Sequence, residues 1–187
     1  GVSRDFVELP SQFMENYALE KEWLDTWAVH YQTGEKIPQE YIDKIKKSSN
    51  FQAGYASDRQ LSFGMVDMAW HTITEPVTEP LVDFEQRAIG KTEIMPVVKG
   101  SAFSPAFGHI FAGGYAAGYY GYKWAEVLDA DAFSLFKQNG IFDKATAESF
   151  RCNVLEKGAS ENPMILYKRF RGQEPTVDAL LERSGLK

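Results

Sequence analysis

Apolar positions in this chain recur at helical rather than strand spacing. Residues 15–31 are rich in Ala, Leu and Glu and carry Tyr17, Leu24, Trp27 and Tyr31 on one period, which predicts a long helix. That helix could start as early as Ser3, a possible N-cap. Pro10 would then lie inside it and kink it, because proline has no N–H to donate. Gly34 is a stop signal, and Pro38 suits the first position of a second helix whose buried face is marked by Tyr41, Ile42 and Ile45. Asn50 is a cap for a third helix reaching about Thr72. After a break at Thr74–Pro80, a fourth runs from Val82 to Ile89 and stops at Gly90. Helical periodicity returns from Ala112 to Asn139. Asp143 then caps a helix over Lys144–Glu156, and shorter helices follow near Pro163–Phe170 and Thr176–Ser184. No convincing period-two alternation appears. The expectation is an all-α chain, one unit of seven or eight helices over residues 1–187, with at most a short β-hairpin in Lys91–Phe111.

Composition narrows this picture. With 187 residues, 44% apolar and 14% aromatic, the chain can bury a core and is not a disordered segment. A net charge of −6 argues against nucleic acid as a partner, since phosphate binding needs a basic face. The single cysteine, Cys152, excludes an internal disulfide and a cysteine-based zinc site. It reads as a small core residue on a helix. No apolar run has membrane-spanning length and no signal-peptide pattern is seen, so a cytoplasmic location with no membrane partner is expected. The opening residues carry Val2, Phe6, Val7 and Leu9 without a polar leader, as expected for a piece of a longer protein.

Three sets of residues could carry chemistry. Residues 107–122 hold five glycines and four tyrosines. Each glycine inside a helix costs roughly 1 kcal/mol relative to alanine, so such a segment usually serves close backbone approach or mobility. If the part after Gly114 is helical, Tyr115, Tyr119, Tyr122 and Glu126 share a face, and their hydroxyls could stabilise an oxyanion. The same spacing serves core packing, which spacing alone favours. Glu8 lies in an apolar stretch, where a carboxylate is solvated, paired or bound to a metal. Among the histidines no pair has metal-ligand spacing. His30 reads as structural, His71 as a helix-end residue, and His109, inside the glycine-rich segment, is the functional candidate. Arg169 and Arg171 could hold a carboxylate bidentately, or simply face solvent.

Arg4-Asp5-Phe6-Val7-Glu8-Leu9-Pro10-Ser11-Gln12 resembles the segment that follows the HExxH helix in the thimet oligopeptidase/peptidyl-dipeptidase family. His109 to Tyr122, continuing through Lys123-Trp124-Ala125-Glu126, resembles the Gly/Tyr-rich substrate loop of that family. Phe170 to Pro175 resembles its C-terminus. The details are most similar to the bacterial peptidyl-dipeptidase and oligopeptidase branches. The resemblance implies the C-terminal part of a zincin-type, helical oligopeptidase. It implies Glu8 as the third zinc ligand, Tyr119 and Tyr122 as groups that contact substrate and the tetrahedral intermediate, and His109 near the substrate. Short peptides are the implied substrates. This sequence contains no HExxH, so the two zinc histidines and the general base would lie in a missing N-terminal portion. One carboxylate does not hold zinc, so this polypeptide alone is expected to be inactive. The alternatives are a non-catalytic helical interaction module derived from that family, and an unrelated helical scaffold with tyrosines in its core.

Overall fold

The computed structural model describes residues 1–187. It is all-α: α1 (Leu9–Glu15), a 3-10 turn (Asn16–Leu19), α2 (Lys21–Leu24), α3 (Gln39–Ser49), α4 (Ala53–His71), α5 (Leu81–Ile89), a 3-10 turn (Ser104–Ala106), α6 (Gly108–Phe111), α7 (Tyr120–Asn139), α8 (Lys144–Phe150), a π-turn (Arg151–Leu155), α9 (Pro163–Arg171) and α10 (Asp178–Arg183). The only strand-like pairing is an isolated antiparallel bridge between Val29 and Lys36. The chain forms two compact units, Gly1–Phe51 with Trp124–Lys187, and Gln52–Lys123.

The first unit is built on an aromatic core. Phe13 of α1 packs its ring 4.4 Å from Phe150, 5.0 Å from Phe136 and 5.6 Å from Phe133. Leu9, Leu128, Leu166 and Tyr167 belong to the same buried cluster. Fully burying one such side chain contributes about 1.5–3 kcal/mol. Two buried aspartates of α7 clip the later helices onto this core. Asp131 accepts the Tyr167 hydroxyl at 2.6 Å and Arg171 Nε at 3.1 Å, while Asp129 pairs with Arg183 of α10 and accepts Asn16 Nδ2 at 2.9 Å. Burial and the adjacent Asp131 carboxylate push the Tyr167 hydroxyl far above its ordinary value.

Several sequence expectations are corrected here. The long helix over residues 15–31 is broken, because Glu20 is extended (φ −94°, ψ 119°) and its carboxylate is drawn to Lys137 at 3.1 Å and Lys46 at 3.6 Å. Pro10 makes no kink. It sits in the first turn of α1, and the Phe6 carbonyl takes the Leu9 N–H at 3.1 Å instead. Pro38 is the residue before α3, and of its predicted apolar face Ile42 is buried while Tyr41 and Ile45 are exposed. Asn50 ends α3 rather than opening α4. Gly34 closes a turn instead of a helix: its φ of +73° allows His30 and Glu35 to bond at 2.8 Å beside the one bridge. Residues 91–111 form no hairpin, within the limit of at most one expected there, and the one bridge lies at Val29–Lys36. Cys152 is half-buried in the π-turn, with Sγ 3.3 Å from Glu148 Oε1, and is not a core residue.

The second unit packs α4 against α5 and the segment that follows. Val66, Ile89, Phe107 and Ile110 form its buried centre, with Phe63, Trp70 and Phe103 against it. Residues 91–119 contain only one short helix and a 3-10 turn, so their backbone groups need other partners. Two buried carboxylates supply them. Glu85 of α5 accepts the N–H of Ser104 at 2.7 Å and of Phe103 at 3.2 Å. Trp70 Nε1 donates to the Ser104 hydroxyl at 2.9 Å.

Candidate active site

The second carboxylate is Asp67 of α4, which is 1% exposed. Its Oδ1 accepts the Ala117 N–H at 2.9 Å and its Oδ2 accepts the Tyr119 N–H at 2.8 Å. His71, one turn later, places Nδ1 at 2.8 Å from Oδ1 and at 2.8 Å from the Asp67 carbonyl. A buried carboxylate is stable only with such donors. In return it fixes the backbone directly before α7.

The segment from Gly108 to Tyr119 turns on itself through its own carbonyls. Gly108 O accepts from Ala112 and Gly113 at 2.8 and 2.7 Å, and His109 O accepts from Tyr115 at 3.0 Å. A Cβ at Gly113 would stand 3.0 Å from His109 Cα, so this close approach requires glycine. Ala117 takes a left-handed conformation at φ +52°, a sparsely populated state for alanine that the Asp67 bond holds in place.

The helix predicted from Ala112 starts only at Tyr120, so Tyr115 and Tyr119 are not on a helix face with Tyr122. The rings meet nonetheless. His109 lies 6.0 Å from Tyr115, 5.9 Å from Tyr119 and 6.1 Å from Tyr122. Tyr115 stacks on Tyr122 at 5.1 Å, and Tyr119 and Tyr122 are 5.0 Å apart. The three tyrosines are half-buried and His109 is exposed. The Tyr119 hydroxyl donates to Gln60 Oε1 at 3.4 Å. Burial raises its pKa, the neighbouring Tyr122 raises it further, and Arg59 partly offsets both. Tyr119 is thus held as a protonated donor. Three predicted site residues, His109, Tyr119 and Tyr122, are brought together in one cluster.

Glu8, in the first unit, is half-buried at the start of α1. Ser11 Oγ lies 2.9 Å from Glu8 Oε2 and 3.0 Å from its carbonyl. No group of three or more His, Cys, Asp or Glu residues is placed to hold a metal ion.

Asp67, Glu85, Gln60 and Arg59 were not singled out in the sequence. The signal for Asp67 was present: an acid within Met65-Val66-Asp67-Met68, the same anomaly that marks Glu8. Replacing Asp67 by alanine should destabilise the chain by about 2–3 kcal/mol, since charge-assisted bonds are lost and their donors left unmatched. Urea denaturation reads that loss. Amide exchange at residues 117 and 119 should rise with it, and unchanged exchange there would show that other contacts fix the segment.

The model of peptidase family M3 matches residues 1–186. Oligopeptidase A of Escherichia coli (strain K12) is 48% identical over all of this chain, which covers 28% of that protein. Dipeptidyl carboxypeptidase of Salmonella typhimurium is 38% identical over 98% of the chain and 27% of that protein. Saccharolysin of Saccharomyces cerevisiae is 34% identical over the whole chain and 26% of its own length. The chain thus spans little more than a quarter of each relative. No helix is long and apolar enough to cross a membrane.

Proposed function

The chain belongs to peptidase family M3, and from that premise and the site's geometry we propose that the whole protein hydrolyses short peptides with zinc. The single observation that carries this reading is the His109–Tyr119–Tyr122 cluster on a backbone pinned by Asp67. Hydroxyl groups gathered on a fixed backbone suit a developing oxyanion better than a merely packed core.

Each residue has a part in this reading. Glu8 is one metal ligand, oriented by Ser11. Tyr119 and Tyr122 donate hydrogen bonds to the carbonyl oxygen as it gains charge. His109 contacts the peptide beside them. When bound, zinc supplies Lewis acidity toward the carbonyl and an activated water. The chain lacks HExxH, so two histidines and the general base come from the rest of the polypeptide. Both compact units belong, in this reading, to one catalytic domain, and the whole protein works in the cytoplasm.

The test compares the full-length protein with this chain alone. The full-length protein should bind zinc and cleave short peptides, and a chelator should abolish the cleavage. The isolated chain should do neither. Chelator-sensitive cleavage by the isolated chain would refute the division of the site, while a metal-free, inactive full-length protein would favour a non-catalytic helical module.

A further inference from the structure

The two arginines that the sequence offers for a substrate carboxylate are already occupied. Arg169 binds Glu161 through both terminal nitrogens, at 3.0 and 2.8 Å, and Arg171 binds Asp131 at 3.1 Å. Arg59 differs. It is exposed on α4, has no acidic partner, and lies over the Phe63 ring with its guanidinium carbon 4.9 Å from the centroid. Stacking against a ring leaves the N–H groups along the guanidinium edge available, in the fork geometry that matches a carboxylate.

Its position ties it to the site. Phe63 lies 5.6 Å from Tyr119 edge-on, so one aromatic ring separates the guanidinium from the tyrosine cluster. Gln60, the next residue, accepts the Tyr119 hydroxyl. An extended peptide advances roughly 3.5 Å per residue. A substrate whose scissile carbonyl sits at Tyr119 and Tyr122 would therefore bring a carboxylate one or two residues away to Arg59. Resting on the peptidase reading above, we propose that Arg59 is a specificity-determining residue that takes a carboxylate of the peptide substrate beyond the cleaved bond. That carboxylate is either the C-terminal group or an acidic side chain.

The experiment uses the full-length protein and matched peptides: one with a free C-terminal carboxylate, its C-terminal amide, and an amidated pair differing by Glu or Gln beyond the cleaved bond. Arg59→Gln should lower kcat/KM by about 10- to 100-fold, mainly through KM, on the peptide whose carboxylate it reads. It should change the neutral peptide by less than about 2-fold, and Arg59→Lys should restore part of the loss. A loss confined to the free-acid peptide identifies the C-terminal group, and a loss confined to the Glu peptide identifies the side chain. Equal losses on charged and neutral peptides, or no loss, would overturn the assignment to Arg59 while leaving the peptidase reading intact. A wild type that cleaves none of the peptides would overturn both.

Discussion

Glu8→Gln in the full-length protein is expected to lower both zinc content and peptidase activity by well over about 100-fold, the usual ceiling for losing an outer-shell partner of a metal. Glutamine has the same shape, and its side-chain oxygen still accepts the Ser11 hydroxyl, which lies 2.9 Å from Glu8 Oε2. The core around Leu9 and Phe13 is untouched, so folding should be preserved. What disappears is the negative charge, and a neutral amide is a poor substitute for a carboxylate on zinc. Metal analysis of the purified variant gives the decisive number, with thermal unfolding as the control. A variant with full zinc and an unchanged rate would remove Glu8 from the ligand set and return it to the solvated acid that composition alone suggests.

Tyr122→Phe should cost about 100- to 1,000-fold in kcat, the range for one oxyanion donor, with little change in KM. The ring survives the substitution. Stacking on Tyr115 at 5.1 Å and the His109 contact at 6.1 Å remain, so the change isolates the hydroxyl. Tyr119 itself keeps the proton it would donate. Its pKa is held above the ordinary tyrosine value of 10.0, chiefly through burial. The folded state therefore keeps a proton that the unfolded chain releases. The associated stability is complete below pH 10 and is lost as pH rises through the folded value. An alkaline fall in rate below pH 10 must then come from another group. Full activity in Tyr122→Phe would end the oxyanion role and leave the tyrosines as packing.

How much of this was legible beforehand varies from element to element. The glycine and tyrosine content of residues 107–122 marked the site, yet the helical spacing that grouped Tyr115, Tyr119 and Tyr122 was the wrong reason. Their rings converge because Gly108–Tyr119 folds back on itself and α7 begins only at Tyr120. The break at Glu20 had no local signal, since Lys46 and Lys137, which draw its carboxylate, are distant in sequence. Asp67 was visible as an odd residue, but its partners at 117 and 119 were not.

By itself the sequence determined the helical class, the ends of α5 and α8 at their glycine and aspartate signals, and the residues on which family membership rests. These depend on local spacing and backbone preference, which act within a few residues. The tertiary structure alone decided that Arg169 and Arg171 are occupied while Arg59 is not, that two buried carboxylates hold an otherwise irregular segment, and that the chain forms two units. Those outcomes depend on which charges and N–H groups meet across long separations, and no periodicity along the chain encodes such meetings.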